Sequence, residues 1–511
     1  MFLLPSPAVA LPDAAPSNED CEINSGSYVF RDEAILGTRL QIDLVARNYS
    51  DAQAAALNAR NEIDRLNLIL NNRSSDSELS ILNRSRIHRA SPELFAVVTA
   101  AERWRTETSS AFSGRLGRVI SVWEIARDQT PSRMELARLA CAADKAFVEL
   151  DSSTRTITRP DEVEFALDAL AKGWIVDHAF KVARSSPGIS GALVNIGGDI
   201  RCGGRAPDNS SGSSGWRVEI PDARIAIDNA PRVATAHLSK HAIATSGRGQ
   251  RDRIIGGVRY SPTLSPHDGW PVHHAISVTA MASSAADADA LATALLSMPK
   301  QNAIAFANRH DVSASIQTND EVTFTQSETS QVRFWPVNAP QAKTKVQASA
   351  KTNTTATGLW PKDWVALITF TAPPRQLVRD ESFRSPYMAM WITDLDNKPI
   401  RTLLLVGTRD DWQKDNYIWW AINNDTVKHL MATRSMSTSG SGIYRVLWDG
   451  TDDQFQQVPG GTYVLHIETS RERGKHTHRS LTLDFTLPKK FTDELASTEE
   501  AGGVYVSFGH P

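Results

Sequence analysis

Residues 169–199 read ALAKGWIVDHAFKVARSSPGISGALVNIGGD, and the fold turns on how they are parsed. The apolar spacing predicts a helix with Lys172, Gly173 and Asp177 in its early turns, a stop at Pro187-Gly188, and an apolar strand over Ala192–Ile196. Gly197, Gly198 and Asp199 then form a tight turn, a place where a ligand can approach main-chain N–H groups closely.

Working outward, the upstream chain supplies a hairpin and helices. Alternation over Val29–Val45 around Leu36-Gly37-Thr38 predicts two paired strands, with Leu40, Ile42 and Leu44 on one face. Ala52–Leu70 has a helical stripe of Ile63, Leu66 and Leu70. Ser77-Glu78-Leu79-Ser80 reads as a polar loop ending near Asn83. Ser91-Pro92-Glu93 is a helix start, with Ser at the N-cap and Pro at the first helical position. Ser110–Gly114 is a small-residue turn, and Met134–Ala143 another helix. Downstream, Gly203–Gly215 is a Gly/Ser-rich loop. Trp216–Ile220, His241–Thr245 and Ala275–Ala282 read as strands, with an irregular segment over Tyr260–Pro271.

Ser284–Met298 is strongly helical and carries a chemical hint. Ser284 and Asp287 fit a capping-box-like start. Asp289 and Thr293 fall at i and i+4 on one face. A carboxylate and a hydroxyl so placed can hold a hard cation through oxygen. The alternative is that the acids simply favour the positive end of the helix dipole.

At 511 residues the chain is long enough for two or more domains. A formal net charge of −3 offers no electrostatic reason to expect nucleic acid or an anionic membrane as partner. Cys21, Cys141 and Cys202 show neither metal spacing nor a disulfide framework. No stretch approaches the roughly 20 apolar residues of a membrane span. Met1–Pro16 contains Ala8-Val9-Ala10, a cleavage-like pattern, so residues 1–22 read as a signal-peptide remnant of an exported, periplasmic protein or as the disordered tail of a cytoplasmic one. Residues 338–358 are poor in apolar side chains and read as a linker between a domain at 24–337 and one at 359–490. In the latter, short β runs separated by turn signals predict an all-β sandwich, and residues 491–511 read as a tail. Acids at Asp452 and Asp453 and the pair His476 and His478 are candidate cation contacts, read more simply as turn and strand residues.

Taken together, Leu36-Gly37-Thr38, Ser77–Ser80 with Asn83, Ala111-Phe112, Ala171-Lys172-Gly173 with Asp177, Val194–Asp199, Ala244–Gly247, Ser277-Val278-Thr279 and Ala288–Ala294 resemble the ApbE-like FAD:protein FMN transferase family. Order and spacing fit over about Ser27–Ala307. The resemblance implies an α+β fold, an ApbE/T-fold-like catalytic domain, followed here by the Ig-like sandwich, which resembles a domain of unknown function fused to such enzymes. It implies FAD as substrate and Mg2+ as cofactor, with FMN passed to a threonine of a flavin-acceptor protein and AMP released. Asp289 and Thr293 match its metal-ligand positions, with the Ala169 carbonyl as third ligand. Leu36, Asn72, Ala111, Phe112, Lys172, Asn195, Gly197, Gly198, Asp199, Ser246 and Gly247 would line the flavin site.

Several positions depart from the family pattern. Ala166 and Asp168 stand for Asp and Gly ahead of the helix, and Ser113 for Asp. Asn72 stands near a frequent aromatic. Pro262, Ser265 and Asp268 replace His, Asp and Thr. Proline neither donates nor accepts a side-chain proton, so His267 or His273 becomes the candidate base. A protein of the envelope that holds FAD without transferring FMN is the alternative these departures leave open.

Overall fold

The computed structural model of the chain describes residues 26–207, 215–329, 333–336, 358–371, 387–406, 416–423, 433–434, 443–470, 476–497 and 502–510, apart from positions 226 and 250. The expected leader at 1–22, nearly all of the linker at 338–358 and most of the Gly/Ser loop lie outside the described residues.

An eight-stranded sheet organises the N-terminal part. Its strands are β1 (Gly26–Ile35), β2 (Thr38–Ala46), β3 (Ile189–Ile196), β4 (Asp199–Gly204), β5 (Ala242–Gly247), β6 (Ser277–Ala282), β7 (Ala314–Gln317) and β8 (Val322–Thr325). They stand side by side in chain order, each antiparallel to the next. Long helical insertions separate hairpins that remain neighbours in space. These are α1 (Tyr49–Leu70), α2 (Glu78–Arg84), α3 (Pro92–Glu107), α4 (Gly117–Ile125), α5 (Arg133–Lys145), α6 (Asp168–Ser185), α7 (Ala285–Ser297) and α8 (Lys300–Arg309).

Both faces of the sheet are covered, which explains why β3 reads as a continuous apolar run rather than an alternation. On one face Leu40, Ile42, Leu44, Ala192, Val194 and Ile196 pack with α1, α6 and α7. On the other, Leu193, Ile200, Ile243 and Met281 meet Trp216, Val218, Ile220, Ala234, Ala236 and Leu238 of a smaller sheet. Helix α7 is buried nearly all round, as a helix without a polar face must be.

Four strands of the C-terminal part, β9 (Val365–Thr371), β12 (Ile443–Trp448), β15 (Phe491–Leu495) and β16 (Val504–Gly509), form one antiparallel sheet in the order β12-β9-β16-β15. The other contains β10 (Tyr387–Thr393), β11 (Pro399–Val406), β13 (Thr462–Ser470) and β14 (Thr477–Asp484), in the order β11-β10-β13-β14. Ile368, Phe370, Val446, Trp448 and Phe508 face Met390, Ile392, Leu465, Ile467 and Leu483 across one core. On the outer face of the second sheet, Trp391 packs with Trp419 of α9 (Tyr417–Asn423). The two-sheet sandwich matches expectation, and its core is rich in aromatic side chains.

Two expectations are corrected. Residues 491–511 are no tail: β16 sits between β9 and β15, with Val504, Val506 and Phe508 buried. Glu78–Arg84 is helix rather than loop, because Ser77 accepts the Ser80 N–H as N-cap and Leu79 and Leu82 are buried. Helix α4 is unforeseen, and no side chain caps its start at Leu116. Asp452 accepts N–H bonds from Gln454 and Gln456, and Asp453 one from Thr402. His476 pairs with Glu468 and His478 with His466, so these groups follow the simpler reading.

Candidate active site

Helix α6 crosses α7 at Gly173. A methyl group there would lie 2.2 Å from the Ala285 carbonyl oxygen and 2.7 Å from the Ala286 nitrogen, so only glycine permits the approach. One turn on, Asp177 accepts the Ala285 and Ala286 N–H groups at 2.8 and 3.0 Å. It thereby satisfies two of the amides a helix start leaves unpaired, while Ser284 caps the same end through the Asp287 N–H. Upstream, Asn83 grips Phe165 through both its carbonyl and its N–H at 2.8 Å. The segment leading into α6 is thus fixed from outside.

This crossing brings charged groups together. Asp289, 3% exposed, accepts the Gly173 N–H at 3.3 Å. In a regular α-helix that N–H belongs to the Ala169 carbonyl, four residues back. Asp199 is wholly buried at the start of β4, with its Oδ2 3.2 Å from Lys172 Nζ, and neither carboxylate oxygen has a well-formed hydrogen bond. Burial first, and then the charge of Asp199, push the Asp289 pKa well above its ordinary value; Lys172 opposes the shift. Burial likewise raises Asp199, against Lys172. One turn along α7, Thr293 Oγ1 lies 2.9 Å from Ser246 Oγ on β5.

Two buried carboxylates sharing one lysine are short of positive charge. A hard cation suits them, since it favours oxygen donors and would relieve the repulsion. Among the described residues no group of three or more His, Cys, Asp or Glu is placed to hold a metal. A cation here would therefore draw on hydroxyl and main-chain oxygen beside Asp289. Thr293 lies one turn along α7 from Asp289, and Ala169 one turn before Gly173 on α6.

The expected flavin-lining residues divide. Leu36 and Gly37 take positive φ values of 50° and 71° at the β1–β2 turn, where Arg251 donates to the Gly37 carbonyl at 3.3 Å. Asn72 donates to Asp168 at 2.7 Å, at the first turn of α6. Ser246 and Gly247 end β5 beside Thr293. Phe112 is different: its ring is 1% exposed in the main core, and its N–H goes to Thr108 Oγ1. Ala111 beside it is buried as well. The glycine turn also departs from expectation. Gly197 and Gly198, both at positive φ, make a two-residue hairpin turn between β3 and β4. Gly197 N–H donates to the Arg39 carbonyl at 3.0 Å and Gly198 N–H to Asn195 Oδ1 at 2.9 Å. Both amides are bonded within the fold, and the turn leads into Asp199 beside Lys172.

His267 and His273 are both exposed, and His273 lines a cavity of about 240 Å3 with Arg133, Arg248, Tyr260 and Trp270, in whose wall His267 has no part. The arginines and aromatic residues of that wall were not foreseen. Ile255-Gly256-Gly257-Val258 is the signal that marks it, a two-residue hairpin whose glycines sit at φ 58° and 78°.

The sheet, the crossing helices and the buried acidic cluster make up one α+β domain. Residues 36–316 match the ApbE family, and the chain belongs to that family. Residues 374–503 match a second family, described as predicted periplasmic protein (DUF2271). The FAD:protein FMN transferase of Vibrio cholerae is 31% identical over 273 residues, which cover 51% of this chain and 79% of that one. Its counterpart from Salmonella typhimurium is 27% identical over 282 residues, covering 52% and 78%. Among solved structures, the ApbE protein of Thermotoga maritima superposes with a TM-score of 0.52 at 24% identity, over 60% of this chain and 98% of that chain. The flavin transferase ApbE of Vibrio cholerae gives 0.50 at 25%, with the same coverage.

Proposed function

We propose that the chain is a Mg2+-dependent transferase that moves FMN from FAD to a threonine of an acceptor protein outside the cytoplasm. The observation that carries this reading is the buried Asp199–Lys172–Asp289 cluster at the α6–α7 crossing, inside a chain of the ApbE family. The periplasmic description of the second matched family supports the location.

In the reaction the threonine hydroxyl oxygen attacks the FMN phosphorus, a new P–O bond forms, and the bond to the AMP phosphate breaks, so that AMP leaves. Bound Mg2+ would neutralise charge on the diphosphate, the main requirement of phosphoryl transfer. Asp289, Thr293 and the Ala169 carbonyl would hold it. Lys172 keeps Asp199 paired and adds positive charge beside the cluster. His273, on the wall of the cavity, takes the threonine proton in place of the histidine that Pro262 displaces. The Leu36–Gly37 turn, Asn72, Ser246 and Gly247 line the flavin dinucleotide.

Incubating the protein with FAD, Mg2+ and a threonine-bearing acceptor domain tests the reading. Covalent flavin should appear on that domain and not on its Thr→Val variant. FAD that stays bound while the acceptor remains unlabelled would mean a flavin-holding protein instead.

A further inference from the structure

One side chain ties the proposed flavin-side turns to the C-terminal sandwich. Arg39 follows the Leu36–Gly37 turn on β2, and its carbonyl receives the Gly197 N–H. Its main chain therefore bonds the hairpin that delivers Asp199. Its side chain points to the other domain: Nη1 lies 2.7 Å from Asp228 Oδ1, Nη2 donates to the Ile443 carbonyl at 2.5 Å, and the guanidinium sits 3.8 Å from the Tyr444 ring centre.

Asp228 and Asn229 complete the joint by imitating a strand. Asp228 N–H donates to the Arg445 carbonyl at 2.7 Å, and Asp228 Oδ2 accepts the Arg445 N–H at 2.7 Å. Asn229 exchanges two bonds with Leu447, both at 2.9 Å. β12 is the outer strand of its sheet, and these bonds cover its otherwise open edge. The Asp228 side chain is 4% exposed, and an arginine fork both neutralises it and stacks on the tyrosine.

We propose that Arg39 is a positioning residue through which the sandwich holds the β1–β2 turn and the Gly197–Gly198 turn against the flavin site. The C-terminal domain then acts on flavin binding in cis, whatever else it binds. This rests on the flavin-transfer reading for its catalytic consequence, but its mechanical part stands apart from activity.

The test uses the full chain with Arg39→Ala, Arg39→Lys and, from the sandwich side, Tyr444→Leu. Hydrogen exchange of segments 36–40 and 196–199 is followed together with the Kd and KM for FAD and with kcat. Arg39→Ala should speed exchange in both segments and raise Kd and KM by about tenfold, with kcat within about twofold. Arg39→Lys should restore part of the loss, since it keeps the charge without the fork. Should Arg39→Ala fail to fold, Tyr444→Leu carries the test with a smaller shift in the same direction. Unchanged exchange in a folded variant overturns the proposal. Faster exchange in Arg39→Ala, when the wild type itself never labels an acceptor, would support the latch and count against the transferase reading.

Discussion

At the scale of single residues, the account rests on how few charges balance the buried acids. Asp289 lies beside Asp199 with Lys172 as the counter-charge. Asp289→Asn removes repulsion while keeping shape. In EDTA its thermal midpoint should equal or exceed that of the wild type, while FMN transfer falls at least about a hundredfold. A strong loss of stability would show that the carboxylate is structurally required and not held for a cation. His273→Gln should slow transfer by about 10²-fold or more, the usual worth of a positioned base, and His267→Gln should leave the rate within about twofold. Steady-state kinetics on both variants decides between them. That Asp289 and Thr293 share one face of α7 was legible in the sequence from their i, i+4 spacing. The pairing of Lys172 with Asp199 was not, since it depends on a hairpin turn folding back beside α6.

At the scale of elements, close approach and capping do the positioning. Gly173→Ala would drive a methyl into the Ala285 carbonyl, and separating α6 from α7 should cost about 1–3 kcal/mol or more. Chemical denaturation should therefore show a lower midpoint, with transfer reduced because Asp289 moves from the Gly173 N–H. In the sandwich, His466 is kept neutral: burial and the neighbouring His478 lower its pKa to about 4. Its Nε2 lies 2.9 Å from Thr393 Oγ1, whose hydroxyl donates to the Asp394 carbonyl. A histidine whose folded pKa is depressed binds fewer protons folded than unfolded. Stability is thus full above about pH 6.5 and is lost as pH falls toward about 4, by up to about 3 kcal/mol. His466→Gln should flatten that slope in melts taken across this range; an unchanged slope would place the acid sensitivity elsewhere. Helices α3 and α7 were readable from their serine caps. Helix α4 lacked a side-chain cap, and α2 was short enough for its polar residues to read as loop.

At the scale of the molecule, the last strand matters most. β16 lies inside its sheet, flanked by β9 and β15. Its sequence, VYVSFG, alternates as a strand should. One of its two partners, β9, lies far upstream, and such pairing leaves no local mark. Truncation after residue 490 should unfold the sandwich, visible as loss of its near-ultraviolet tryptophan signal, whereas a tail would be dispensable. The two-domain division was legible from the change in apolar period. The Arg39–Asp228–β12 joint was not, because it joins positions about 200–400 residues apart, where no periodicity reports contact.

The most direct test of the central claim counts both products of one reaction. AMP released and FMN covalently gained by a threonine-bearing acceptor are measured together, with Mg2+ and with EDTA. The account predicts equal amounts of the two, appearing only with the divalent cation and only with the threonine present. AMP release without labelling of the acceptor, or labelling indifferent to EDTA, would contradict it.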